Sequence, residues 1–167
     1  MFTIEQYKNK LAELIQLKDS IHLDTDPVAS GLHTFNTKLA EIQSCRERVT
    51  ALVLESLWNK AEAQRLLHVA QEEYDTAVAN ILNIDETVKN LRSSELRMAK
   101  VNAIVIDKLA KLKEAERLFH YSETFLKSVQ AIARDVESKN ENLIHQIFTV
   151  RMMLNIDPAM REEVKLR

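Results

Sequence analysis

Glycine occurs once and proline twice in 167 residues. A Gly-rich phosphate loop, a dinucleotide fingerprint and a nucleophile elbow each need several backbone sites that only glycine tolerates, so those enzyme classes are excluded. The same scarcity leaves too few turn residues for a many-stranded β fold. Cys45 is the one cysteine. It has no partner for an internal disulfide, and a reducing compartment is the default expectation. The longest uncharged apolar stretches, such as Val101 to Ile106, fall far below the roughly 20 residues a bilayer requires. The opening Met1-Phe2-Thr3-Ile4-Glu5 has no basic region followed by an apolar block, so neither a signal peptide nor a membrane span is expected. Charge of one sign is also missing. Lys plus Arg number 23 and Asp plus Glu 25, for a net charge of -2, so the chain as a whole is no polyanion binder. These absences fit a cytoplasmic or otherwise intracellular protein, of a cell or of a virion made inside one.

What is present is helical periodicity. Thr3 and Gln6 match a capping box, and Ile4, Tyr7, Leu11 and Leu14 follow at 3/4 spacing, predicting a first helix over about 3–19. Asp24-Thr25-Asp26-Pro27 is a break in which Asp26 caps and Pro27 opens the next helix. From there Val28, Leu32, Phe35, Leu39, Ile42, Val49 and Leu52 hold a heptad frame. It weakens at Ser56, Asn59 and Ala63 and resumes at Leu67, Ala70, Tyr74, Ala77, Ile81 and Ile84. A pattern of this length, with Gly31 only in its first turns, predicts one helix over about 27–83 with coiled-coil packing.

Asn83, Asp85, Asn90, Ser93 and Ser94 crowd into a dozen residues and place a bend within 83–94. Asn83 is a candidate left-handed helix stop, with Asp85 as the next cap; Ser93 and Ser94 are equal candidates to cap the third long helix. That helix, about 94–154, carries Met98, Val101, Val105, Leu109 and Leu112. From Phe119 the stripe continues through Ser122, Leu126, Val129, Ala133, Val136, Asn140, Leu143, Ile147, Val150 and Leu154 without a slip. Asp157-Pro158 repeats the cap-plus-proline device and predicts a short tail helix over about 158–165. The expected architecture is a single all-α domain: a long antiparallel helical hairpin, coiled-coil in its packing, with a short helix at each end. The structural alternative is one rod in a multi-chain coiled coil.

Both arms broaden at one height. Val49, Leu52, Val53, Leu54, Leu57 and Trp58 wrap round one helix, and Leu118, Phe119, Tyr121, Phe125 and Leu126 round the other. A first helix of about 17 residues spans about 25 Å at 1.5 Å per residue. Folded back from the break at 20–26, it reaches only the level of residue 44. The belt therefore predicts a second chain as its cover, most simply a homo-oligomer, with Val49, Leu52, Val53, Leu54, Leu57, Trp58, Leu118, Tyr121 and Phe125 as interface residues. Asn140 on the third-helix seam is a candidate register-setting residue.

The chemistry-bearing residues form no site. Carboxylate-bridged metal bundles use Glu-x-x-His pairs, and none occurs; Glu116/His120, Glu141/His145 and His68/Glu72 are four apart, the spacing of surface pairs. No catalytic residue, metal ligand or cofactor is expected. One charge feature stands out. Lys89, Arg97, Lys100, Lys108 and Lys111 share an arc of about 100° beside the apolar stripe, while residues 72–86 hold five acids and no Lys or Arg. The favoured reading pairs acid on one arm with base on the other. The sharper one is a phosphate-binding strip, multiplied by oligomerisation. In size and helical pattern the chain is similar to the small helical recombination mediators of large phages. That layout implies an oligomeric accessory factor for single-stranded DNA, with no residue carried over. The primary expectation is a non-enzymatic structural or assembly protein that self-associates, as in a virion or scaffold, with other assembly proteins as further partners.

Overall fold

The computed structural model describes residues 2–23 and 32–156. Among them there is no strand, and the helices in chain order are α1 (Ile4–Ser20), α2 (Leu32–Ile84), α3 (Glu86–Lys89), α4 (Ser94–Ile104) and α5 (Ile106–Ile156). The expected Asp26-Pro27 start, Gly31 and the 158–165 tail helix lie outside the described residues. The described residues fall into two compact units. Unit 1 holds residues 2–4 and 56–125; unit 2 holds residues 5–23, 32–55 and 126–156.

In unit 2, α2 buries Phe35, Ile42, Cys45, Val49 and Leu52, and α5 buries Leu126, Val129, Val136, Leu143 and Val150. From Ile42 and from Leu126 onward these are positions of the alternating 3/4 stripe, so the residues that repeat in sequence are the ones withdrawn from water. Asn140 is half-buried on the same stripe. Arg46 joins α2 to Glu137 of α5 at 3.0 Å. The first helix and the residue just past its end add Tyr7, Leu14 and Ile21, seven residues apart, to this core.

In unit 1 the stripe continues in smaller residues. Ser56, Asn59 and Ala63 on α2 are all buried, as are Leu112, Ala115 and Ser122 on α5. The Ser122 hydroxyl donates to the carbonyl of Phe119 at 2.7 Å, which removes the cost of burying it. Cross-helix pairs fix the order of neighbours. Lys60 meets Glu123 (3.4 Å), Lys108 meets Glu73 (2.6 Å) and the Tyr74 hydroxyl donates to Asn102 Oδ1 (2.6 Å). Partners on the later helices fall in number as α2 is followed forward.

The break predicted within 83–94 is two breaks. No described residue has positive φ, so Asn83 does not stop α2 in the left-handed conformation; the helix runs on to Ile84. Asp85 instead adopts extended backbone (φ -78°, ψ 103°) and accepts the Thr87 N–H at 2.8 Å, capping α3. Ser93 occupies the cap position of α4 without a side-chain cap bond. Between them Val88 is fully buried with Val101 and Val105, against Tyr74, Ala77, Val78, Ile81 and Leu82. The third long helix also departs from expectation: it breaks at Val105 (φ -97°, ψ 26°) into α4 and α5. Ile104-Val105-Ile106 places three β-branched side chains in succession, and their restricted χ1 crowds the preceding turn. Hydrogen bonding carries across, since Val105 donates to Val101 and its own carbonyl accepts from Lys108 and Leu109.

Candidate association surface

The belt residues part into two groups. Val49, Leu52 and Phe125 are buried, Val53 and Leu118 half-buried, and Leu54, Leu57, Trp58 and Tyr121 exposed. The estimate that the first helix stops at the level of residue 44 is corrected by its contacts. In unit 2, Lys10 bonds Glu55 at 3.0 Å and Glu13 pairs with Arg48. A crevice beside them is lined by Leu14, Ala51 and Leu52. In unit 1 the Phe2 N–H donates to Asn59 Oδ1 at 2.8 Å, and the Phe2 ring meets Phe125 edge-on at 6.2 Å. The cause is where α1 ends. Lys18 reaches Asp135 at 3.3 Å, and Lys139 donates to the carbonyls of Lys18 and Ile21 at 2.5 and 2.7 Å. That end of α1 sits beside the stretch of α5 whose Glu137 meets Arg46.

In unit 1, α2 carries an exposed apolar patch. Trp58 is 81% exposed and Leu57 45%. Ala61, one turn on, opens a groove of about 760 Å3 lined also by Gln64, Arg65, Leu67, His68, Gln71 and Glu116. Its charged rim is internally paired: Arg65 holds Glu62 in a two-pronged bond (2.7 and 2.9 Å), and His68 meets Glu72 at 3.2 Å. The Arg65 guanidinium keeps the Glu62 carboxyl below its usual range, so that pair stays charged at neutral pH. Apolar centre and paired polar rim is the anatomy of a protein–protein contact. In unit 2, Leu54 is a further exposed apolar residue of α2.

A second exposed stripe was not among the expected sites. Ile144, Phe148 and Met152 follow one another four residues apart on α5 in unit 2, with Phe148 61% exposed. The signal was in the sequence. Leu143 and Val150 already fill the seam, so apolar residues at 144, 148 and 152 stand on a different face.

Three of the five basic-strip side chains bond within unit 1. Lys108 bonds Glu73, and Lys111 is close enough to help hold that carboxylate below its usual range. Lys100 donates to Thr87 Oγ1 at 2.7 Å, and Arg97 to the Leu91 carbonyl at 2.7 Å. Lys89 is exposed. Among the described residues no group of three His, Cys, Asp or Glu side chains is placed to hold a metal ion, and no helix is long and apolar enough to cross a membrane. Burial pushes the Cys45 thiol above its usual range, so at neutral pH it stays protonated and a poor nucleophile. No known protein family, curated protein or solved structure shows a match to this chain.

Proposed function

We propose that the chain is a non-enzymatic structural subunit that self-associates, with its long helices paired as antiparallel coiled-coil arms. The pairing reading rests on the buried 3/4 stripe and on the order of the cross-helix pairs in unit 1. The association reading is carried by one observation: Trp58, the only tryptophan, is 81% exposed beside the exposed Leu57 on α2. Tryptophan presents a large apolar area to water here, and such residues anchor interfaces. A second copy of the chain is the proposed cover, with the Ala61–Gln71 groove continuing the contact.

Sedimentation velocity on the full chain tests this. The wild type is expected to sediment as an oligomer at tens of micromolar, and Leu57→Ser/Trp58→Ser as a single chain with unchanged helix content by circular dichroism. A wild type that stays a single chain at those concentrations overturns the reading.

A further inference from the structure

We propose that α1 is a separable strap on unit 2, and that the trough it uncovers takes α1 of a second copy. The cover is located by Cys45, which is fully buried on α2. Arg48, nearly a turn further along, pairs with Glu13 of α1; Lys139 of α5 holds the Lys18 and Ile21 carbonyls at α1's end. The positive charges acting on the Cys45 thiol are those two cations. The thiol therefore lies in the unit 2 core close to the two cations that hold α1.

The strap fully buries fewer side chains than the unit 2 stretches of α2 and α5. Over its 17 residues it fully buries two side chains, Tyr7 and Leu14, with Ile21 just past its end as a third. Around them it is fastened by ion pairs between side chains substantially open to water, such as Lys10–Glu55 and Glu13–Arg48. Pairs of that kind add little. The α2 and α5 faces of the same unit bury a continuous stripe. Proteins open first where least apolar surface is buried, so α1 lifts before α2 and α5 separate. Lifting it bares a trough shaped for an amphipathic helix with apolar side chains seven apart, and α1 is a helix with that pattern. A second copy's α1 makes the same contacts, and exchange of an identical element between copies is a low-cost route to association. The trough belongs to unit 2 and Trp58 to unit 1, and exchange is read by thiol labelling and peptide binding, so its failure is distinguishable from failure of the Trp58 reading.

The native thiol reads the opening. In the full chain, Cys45 labelling by an aromatic disulfide reagent is followed in a urea series, with helix content measured alongside. Labelling is expected below the global transition, with a shallower urea dependence than loss of helix. Lys139→Met, which removes the donor to both carbonyls, is expected to accelerate it about 10-fold. A fluorescent peptide with the sequence of residues 2–21 is expected to bind the chain saturably and slow the labelling, while its Leu14→Asp form does neither. Trp58→Ser is expected to leave all of this unchanged. Labelling that tracks global unfolding in both wild type and Lys139→Met overturns the strap. Failure of the wild-type peptide to bind or protect at 100-fold excess over the chain overturns the exchange.

Discussion

Ser56, Asn59 and Ser122 occupy stripe positions where Leu or Ile is the usual occupant, and all three are buried. Their placement is a matter of volume. With Ala63 and Ala115 they are the small or polar residues of the unit 1 seam; Ser122 bonds the Phe119 carbonyl and Asn59 accepts the Phe2 N–H. A larger side chain at such a site must displace neighbours already in contact, which costs about 1–3 kcal/mol in a well-packed core. Ser122→Leu is therefore expected to lower the unfolding free energy by that amount, read as a lower urea midpoint, although leucine is the better helix former. Ser122→Ala removes one locally satisfied hydroxyl and is expected to change stability by less than about 1 kcal/mol. A stabilising Ser122→Leu would show that the seam has room the burial does not suggest.

Among the elements, the connection through α3 depends on two carboxylates. Asp85 is held below its usual range first by the Thr87 hydroxyl and then by the Thr87 N–H; Glu73 is held below its range by the Lys108 ammonium. In the folded chain both bind protons less readily than they do unfolded, so their contribution is complete above the ordinary carboxylate pKa and is lost as pH falls through the depressed values. Acidification below about pH 4 is expected to loosen α3 first, read as early loss of amide exchange protection at Thr87 to Lys89. Asp85→Asn keeps an acceptor for the cap and is expected to remove most of that pH dependence while α3 persists. Asp85 was legible as a cap because short polar side chains before a helical turn compete for its free amides. The 3/4 stripe was legible for the same kind of reason: its spacing is the helix period itself. The break at Val105 was not, since nothing in the 101–112 stripe marks it, and only the succession of β-branched residues accounts for it afterwards. Nor was the height at which α1 ends, because that is set by Lys139 gripping two carbonyls more than a hundred residues away. Such a contact leaves no periodic trace.

At the scale of the whole molecule, the proposed self-association has a built-in reporter. Trp58 is the single tryptophan of the chain, so all tryptophan emission comes from the surface in question. At 81% exposure its indole faces water in the single chain, whose emission is expected at the red end of the range. A second copy that covers Leu57 and Trp58 desolvates the ring and shifts emission to the blue. Burying an aromatic side chain of this size contributes roughly 1.5–3 kcal/mol at about 25 cal/mol per Å2, which is one to two decades in the association constant. Dilution from tens of micromolar to tens of nanomolar is thus expected to move the emission maximum redward in step with the fall in sedimentation coefficient. Leu57→Ser leaves the fluorophore in place and is expected to move that transition to higher concentration. Separate behaviour of the two signals, with mass falling while emission stays fixed, would place the contact elsewhere. The exposed Ile144–Phe148–Met152 stripe of α5 would then be the face to test by the same substitutions to serine.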